Sequence, residues 1–451
     1  MLSQLWSMVQ LGGGALVIAA LAVELARRPI MIVGATLAVY AWTLVSTSEL
    51  TSTRIAGISV NVVDVVNVVA LAAALIRMRR GPLRWQWALL AVVVLVVIGA
   101  LRGAIQLGDA ALLGFRSELY FVIPALIVTT IPRSSMPRIV RMIVVLGSAI
   151  AVVAVGRWIA LAMGLSLTPL AASSGYAIER VINSASSLWI ALAVVSYATW
   201  LLHEHADGRR WMIWAASGFT MLVVLFSQHR SVWLATAAML ALGVVVTRRR
   251  WFMKMGIVTA AALGIVAIAS LGPDDVGVAG DSLAMAASDD RTWVWRIERW
   301  QAIWATHEAR GAPAVLFGSG YGYAWLTGAV GVWEASPHNG YLQIAVRLGL
   351  LGAILVYVPH LVVLVNLRSA TDASSRVVWL WIVGTLIYYV PYSATPLTGV
   401  VLGAAVALLQ AERTSHVGGR KPVSAEATVI RSMQQPMSVV PTVNGEVRTR
   451  G

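Results

Sequence analysis

Apolar segments of roughly 20 residues recur along the chain as far as about residue 410, and this feature constrains the fold more than any other. A soluble domain cannot bury so many uninterrupted apolar segments in one aqueous core. Within lipid, a helix satisfies its own backbone hydrogen bonds, so each segment predicts one membrane-spanning helix. The sequence thus predicts an all-α polytopic membrane protein with about 12 or 13 transmembrane helices. The segments lie at residues 9–26, 30–48, 58–76, 85–101, 117–131, 139–164, 186–202, 211–227, 231–247, 252–271, 338–365, 377–392 and 396–411.

Basic residues are concentrated in every second loop between these segments. Positively charged loops remain in the cytoplasm, so alternate loops are predicted on the cytoplasmic side. The long loop at 272–337 then faces outward, as do Arg230 and His338. The formal net charge of +14 is therefore attributed to topology and to anionic lipid, and no nucleic-acid partner is predicted. The basic clusters lie at residues 27–28, 77–84, 133–141, 209–210, 248–254 and 368–376.

Four regions follow from this pattern. Residues 1–271 hold the first ten predicted transmembrane helices, and residues 338–412 hold the C-terminal ones. Residues 272–337 form the predicted extracytoplasmic loop, whereas the polar residues 413–451 predict a disordered cytoplasmic tail. Within the loop, residues 291–304 carry tryptophan and arginine at helical spacing, which predicts an amphipathic helix on the membrane surface.

His338 is the candidate catalytic base. It follows the long loop and opens an apolar segment, with Ser336 as the predicted N-cap and Pro337 at the first helical position. The partial positive charge of a helix N-terminus disfavours a protonated imidazole, so this position favours the neutral base. The alternative is an interfacial histidine with a structural role. Glu334, four residues earlier, either orients the imidazole or remains in water, and both possibilities stay open.

Arg230 is the candidate phosphate ligand. It lies between two apolar segments on the predicted outward side, where an arginine needs an anionic partner. Outward carboxylates are scarce and a guanidinium matches phosphate oxygens, so a ligand phosphate is favoured over a protein carboxylate. Arg291 and Arg296 are candidates for the same anion, although contact of their side chains with lipid headgroups explains them equally well.

Several other patterns limit the chemistry. The chain contains no cysteine, which excludes disulfides, thiol catalysis and thiolate metal sites. No histidine and carboxylate pair has metal-ligand spacing, so neither a metal nor a cofactor is expected. The glycine-rich turn at 317–323 is not a P-loop, because no Gly-Lys-Ser/Thr follows it. Asp64, between Asn61 and Asn67, is either functional or part of a hydrogen bond between helices.

The order of these elements resembles the O-antigen ligase and polymerase superfamily, which has the C-type glycosyltransferase membrane fold. The resemblance covers roughly residues 225–355, and its elements share the predicted outward side. One position departs from the family, which often has an acidic residue where this chain has Arg347. The elements are Arg230 at the head of one segment, Arg296-x-x-x-Trp300-x-Ala302, Gly318-x-Gly320-x-Gly322, His338-Asn339-x-x-Leu342 and Gly349-x-x-Gly352.

The resemblance implies transfer of a glycan from an undecaprenyl-pyrophosphate carrier to an acceptor hydroxyl outside a bacterial cytoplasmic membrane. The acceptor is a glycan, a glycolipid or a protein. His338 would be the base, the three arginines would bind the pyrophosphate, and the reaction would be inverting and independent of metal. Supporting roles fall to Asn339, Glu334, Trp300, Gly318 and Gly320.

Other functions remain compatible with the sequence. A polysaccharide polymerase shares the donor and the chemistry of a ligase and differs only in its acceptor. A lipid-linked glycan flippase or other transporter would carry ionisable residues near the bilayer midplane. Here the notable charges gather at the predicted outer boundary, which favours an enzyme. A receptor or a structural membrane protein would leave the base and arginine pattern unexplained.

Overall fold

The computed structural model describes residues 18–46, 53–55, 58–79, 84–107, 114–165, 181–203, 210–247, 291–321, 337–370 and 372–418. Over these residues the chain is mainly helical, with one short hairpin, and this confirms the prediction of an all-α polytopic membrane protein. The helices are α1 (Ile18–Arg27), α2 (Pro29–Val45), α3 (Val62–Met78), α4 (Arg84–Leu107), α5 (Arg116–Thr129), α6 (Met136–Ala162), α7 (Ser184–His203), α8 (Arg210–Phe226), α9 (Arg230–Thr247), α10 (Arg291–Glu308), α11 (Ala312–Phe317), α12 (Gly340–Asn366), α13 (Ala373–Tyr388) and α14 (Pro396–Gly418), with 3-10 turns at Arg133–Ser135 and Leu367–Ser369.

Four helices in the described part of the chain are long and apolar enough to cross a membrane, or five if a bent pair counts as one span. The bent pair is α1 and α2, between which the chain bends by 118°. The predicted segment 252–271 and residues 1–17 lie outside the described residues, so the predicted number of helices stays a prediction. The four long spans are Arg84–Gln106, Arg133–Leu161, Ser184–Leu201 and Gly340–Ser369, and the shorter apolar helices are Trp211–Phe226, Arg230–Val246, Ala373–Tyr388 and Pro396–Gln410.

Helix α7 lies at the centre of the packed helices. In its apolar stretch, 78% of the residues are buried within the protein, compared with 39% in the apolar stretches of α4 and α12. Trp189 of α7 is fully buried, and the indole of Trp381 on α13 donates a hydrogen bond to the Leu192 carbonyl at 3.1 Å. The outer helices instead expose large apolar side chains such as Leu101, which suits contact with lipid.

A short hairpin precedes α3. Strand β1 (Thr53–Ile55) pairs antiparallel with strand β2 (Ile58–Val60), with Thr53 opposite Val60. The predicted helix from residue 58 therefore begins later, at Val62. Its start is fixed by a capping box, because the Asn61 side chain accepts a hydrogen bond from the Asp64 backbone N–H while the Asp64 carboxylate accepts one from Asn61 N–H.

Asp64 also joins α3 to α5. Its carboxylate accepts a hydrogen bond from the Tyr120 hydroxyl at 2.5 Å and lies 3.5 Å from the Arg116 guanidinium. Asn67, one turn later, donates to the Tyr40 hydroxyl at 2.6 Å. Of the two explanations for these polar residues, the contacts between helices are the one with direct support.

The C-terminal boundary differs from the prediction. Helix α14 extends to Gly418 instead of ending near residue 412. The continuing helix includes Glu412 and Arg413, polar residues that are compatible with a helix outside the membrane. The predicted disordered tail beyond Gly418 lies outside the described residues.

Candidate active site at the start of helix α12

The imidazole of His338 lies just before α12, on a segment held by two helices. Asn339 is the N-cap of α12, since its side chain accepts a hydrogen bond from Leu342 N–H at 2.9 Å. The predicted start of this helix was therefore wrong: Pro337 precedes the cap, and Ser336 lies outside the described residues. The carbonyl of Pro337 accepts a hydrogen bond from the Trp300 indole of α10 at 2.8 Å. Trp300 and Asn339 thus fix the chain on both sides of His338.

The backbone of His338 has a φ of +50°, in the left-handed region. A residue with a Cβ pays about 1 to 3 kcal/mol to occupy a sparsely populated backbone conformation. Such a conformation persists where the surroundings fix it, and here Trp300 and Asn339 hold the residues on either side of His338. Strain of this kind is concentrated at functional sites.

The pKa of His338 lies below its usual value. Loss of hydration is the largest cause, and the positive charges of Arg296 and Arg299 lower the pKa further. The imidazole is therefore neutral near pH 7, as a general base requires. The sequence prediction of a neutral histidine relied on the helix N-terminus, whereas the structure adds two arginines from α10. Arg299 was missed, although its spacing of three residues from Arg296 places both on one helix face.

Helix α10 presents different faces to the protein and to its surroundings. Ile303 is buried against Leu342 and Val346 of α12. The same face carries Arg299, which is 7% exposed and stacks its guanidinium on Trp295 at 5.0 Å. Several apolar and aromatic side chains of α10 are nevertheless exposed. They are Trp293, Val294, Trp295, Ile297 and Trp304.

Tyr392 connects Arg296 with the segment that carries Arg230. The guanidinium carbon of Arg296 lies 5.8 Å from the centre of the Tyr392 ring. The hydroxyl of Tyr392 lies 3.3 Å from Nδ1 of His229, the residue directly before Arg230. Arg230 is the first residue of α9 and is half-buried. Segments far apart in sequence thus bring both predicted phosphate ligands to the end of the bundle at which His338 lies.

The glycine-rich turn is held against α12 by backbone contacts. Ser319 N–H donates to the Val346 carbonyl at 2.8 Å. A Cβ on Gly318 would lie 2.1 Å from the Arg347 carbonyl, and a Cβ on Gly349 would lie 2.3 Å from the Leu316 carbonyl. Both glycines have positive φ, and Gly349 interrupts the helical backbone of α12. Gly318 and Gly349 therefore permit one close approach of two backbones.

Arg347, the position that departs from the family pattern, holds this turn. Its guanidinium donates to the Gly320 carbonyl at 2.8 Å and lies over the Tyr321 ring at 5.5 Å. The buried Glu118 of α5 lies near enough to stabilise its positive charge, and Gln343 donates to Glu118 at 2.7 Å. Arg347 therefore has a carboxylate neighbour from another helix, a contact that the sequence around it could not reveal.

His307 is a second histidine near the turn. Its Nδ1 lies 2.8 Å from the Ser319 hydroxyl, and the side chain is 1% exposed. Burial lowers its pKa, and Arg310 lowers it further. Because it is enclosed, His307 has no access to a large substrate, so we assign it to the support of the turn.

The remaining predicted residues are less well defined. Gly318 and Gly320 lie in the turn just described, which Arg102 also holds by donating to the Gly318 carbonyl. Arg291 is the first residue of α10, and Glu334 lies outside the described residues. Within the described ranges no group of three histidine, aspartate or glutamate side chains is placed to hold a metal ion.

Comparison with known proteins identifies one family. Residues 215–357 match the family described as O-antigen ligase. The matched region contains Arg230, Arg296, the glycine-rich turn, His338 and Gly349. No curated protein and no solved structure matches the chain. The resemblance to the O-antigen ligase and polymerase superfamily is confirmed over this region, whereas the C-type glycosyltransferase fold stays a prediction.

Proposed function

From the O-antigen ligase domain at residues 215–357, we propose that this integral membrane protein is an inverting glycosyltransferase. Its donor is a glycan on undecaprenyl pyrophosphate, and its acceptor is a hydroxyl of a glycan, a glycolipid or a protein. One observation carries the proposal: His338, with a depressed pKa, lies beside Arg296, and Tyr392 connects Arg296 to the start of α9 at Arg230. A base and a set of fixed positive charges are the groups that this transfer requires.

His338 acts as the general base. Its neutral imidazole accepts the proton of the acceptor hydroxyl as that oxygen attacks the anomeric carbon. The bond from the anomeric carbon to the pyrophosphate oxygen breaks in the same displacement, so the configuration inverts. Trp300 and Asn339 support this step by fixing the backbone on either side of the imidazole.

Arg296 and Arg230 stabilise the leaving group, with Arg291 as a third candidate. Undecaprenyl pyrophosphate departs with additional negative charge, which fixed guanidinium groups stabilise in the transition state. Within the described residues, the Nε–H of Arg296 is buried without a hydrogen-bond acceptor. A phosphate oxygen would supply one, and an unsatisfied buried donor is costly. The donor carries the free energy for transfer, so no nucleotide site and no metal is required.

The site faces the extracytoplasmic side in this proposal. His338 and Arg368 lie at opposite ends of α12, and Arg368 belongs to a basic cluster predicted in the cytoplasm. The loop that carries Arg368 also contacts a second predicted cytoplasmic loop, through Asp372 and Arg133 at 2.9 Å. This contact supports the placement of both basic loops on the same side of the membrane. Because His338 lies at the other end of α12, it would lie on the opposite side. The bacterial cytoplasmic membrane is the expected location.

The first test is glycan transfer by purified variants with a lipid-linked donor. We expect His338→Ala to remain folded and membrane-inserted but to lose transfer, while His205→Ala, in a predicted cytoplasmic loop, keeps it. Near-normal transfer by His338→Ala would remove the base assignment. We expect Arg230→Ala to weaken donor use, and unchanged donor saturation and turnover would contradict its role as a phosphate ligand.

A polymerase is the second candidate, because the family and the donor chemistry do not define the acceptor. Profiling of glycans and lipid carriers in a deletion strain separates the two. Full-length polymer on the carrier would indicate a ligase, and single repeat units would indicate a polymerase. An unchanged profile would favour a different class, such as a transporter.

A further inference from the structure

Tyr392 lies at the centre of the candidate site, in the turn between α13 and α14. Its ring stacks on Tyr388, with centroids 4.8 Å apart and planes inclined by 29°. The Arg296 guanidinium lies over the same ring, and the hydroxyl meets His229. Tyr392 therefore contacts both an arginine of α10 and the segment that carries Arg230.

The hydrogen bonds of His229 define the direction of the Tyr392 hydroxyl. Nε2 of His229 lies 3.1 Å from the Ile182 carbonyl, which only accepts hydrogen bonds, so Nε2 carries a proton. In the neutral ring Nδ1 then accepts, and the Tyr392 hydroxyl donates to it. His229 is therefore occupied on both nitrogens. It anchors the tyrosine instead of serving as a second base.

The backbone of Tyr392 is fixed relative to the start of α12. Its N–H donates to the Tyr388 carbonyl at 3.2 Å, and a Cβ on Gly340 would lie only 3.1 Å from the Tyr392 carbonyl oxygen. Gly340 N–H in turn donates to Tyr389 at 2.8 Å. Gly340 is two residues after His338. The ring of Tyr392 is thus held by α13, by His229 and by the beginning of α12.

We infer that Tyr392 is the positioning residue for the pyrophosphate-binding arginines. Its ring face holds the guanidinium of Arg296 by a cation–π contact, and its hydroxyl holds His229 and hence the segment that begins at Arg230. An arginine on a long side chain has many rotamers, and a rigid aromatic surface limits them before the donor arrives. The inference rests on the proposed function, because it assigns a purpose to the arginines of that site.

Two substitutions separate the contributions of the ring and the hydroxyl. Tyr392→Phe keeps the ring under Arg296 and loses the bond to His229, whereas Tyr392→Leu loses both. We expect Tyr392→Leu to raise the donor KM about tenfold, as the loss of a partly desolvated cation–π contact predicts. Tyr392→Phe should raise it about threefold or less, from the loss of one neutral hydrogen bond. Acceptor KM should remain unchanged in both.

A double-mutant cycle distinguishes positioning from general support of the fold. If the ring acts through Arg296, Tyr392→Leu should add little to the donor KM of an Arg296→Ala protein. Tyr197→Leu, which alters a tyrosine of α7 bonded to Ser148, is the matched control and should leave donor KM unchanged. Direct binding of undecaprenyl pyrophosphate to each purified variant provides a second measurement, independent of turnover.

Each outcome decides between the possibilities. Equal losses in Tyr392→Phe and Tyr392→Leu, a normal donor KM in Tyr392→Leu, or additive effects with Arg296→Ala would overturn the assignment of Tyr392. The proposed function would survive each of these results, provided that the wild type transfers the glycan. If the wild type neither binds undecaprenyl pyrophosphate nor transfers the glycan, the proposed function and this inference fail together.

Discussion

Replacing Gly349 by alanine should destabilise the protein by several kcal/mol, although the change adds a single methyl group. Gly349 has φ +70° and ψ −175°, a region that is essentially restricted to glycine. Forcing an alanine into this backbone conformation costs about 1 to 3 kcal/mol. The new Cβ would also lie 2.3 Å from the Leu316 carbonyl oxygen and 2.5 Å from Gly318 N, so backbone atoms must move.

The two terms give the expected magnitude. Overpacking of a tightly packed site costs about 1 to 3 kcal/mol, and the neighbours here are backbone atoms that a rotamer change cannot relieve. The sum for Gly349→Ala is about 2 to 6 kcal/mol. Gly318→Ala should lower the stability by a similar amount. Gly318 lies opposite Gly349 in the same backbone contact, and a Cβ there would clash with the Arg347 carbonyl.

The measurement is the free energy of unfolding of the purified protein in mild detergent, together with glycan transfer. Gly156→Ala and Gly218→Ala are matched controls. Both glycines are within helices, and a Cβ at either position would have no neighbour within 4 Å. These controls should be neutral or more stable by up to about 1 kcal/mol, because alanine favours a helix. A Gly349→Ala protein as stable as the controls would refute the proposed backbone contact.

Three further predictions test the surroundings of His338. Transfer should decline as the pH falls through a pKa below the usual value of about 6.5, since a protonated imidazole is no base; Arg299→Gln removes a positive neighbour and should move this decline to higher pH, whereas Arg138→Gln should not. Trp300→Phe should cost about 0.5 to 1.5 kcal/mol of stability and lower turnover, measured by unfolding and kinetics, because the bond to Pro337 is lost. Arg347→Leu and Glu118→Gln should couple by about 0.5 to 3 kcal/mol in unfolding, and additive effects would exclude an interaction between them.

The helices were predictable because their apolar segments are long. A run of apolar residues in lipid usually forms a helix, because a helix satisfies its own backbone hydrogen bonds. The boundaries of α9 and α12 agree with the predicted segments to within a few residues. The start of α12 was harder to predict, since Ser336 and Asn339 are both good N-caps. Which of the two residues caps the helix depends on the conformation of the segment before it. The Pro337 carbonyl is bonded to Trp300, which lies 37 residues away along the chain.

The members of the candidate site were predictable only in part. Arg230, Arg296 and His338 stood out because charged residues at a membrane boundary need an explanation. Tyr392 and Arg299 did not, because a tyrosine and an arginine are ordinary residues at the end of a membrane helix and in an amphipathic helix. Their significance arises from contacts between segments distant in sequence, which periodicity and spacing do not encode.

The site is assembled mainly through backbone groups, and this explains how the chain tolerates Arg347. Ser319 is bonded to the Val346 carbonyl, and Gly318 and Gly349 meet through their backbones. Neither contact depends on the charge of the side chain at position 347. Arg347 donates to Gly320, within the turn, and Glu118 of α5 lies near its guanidinium. The position therefore acts on the stability of the turn, and differences in acceptor are better sought among the residues that surround the imidazole of His338.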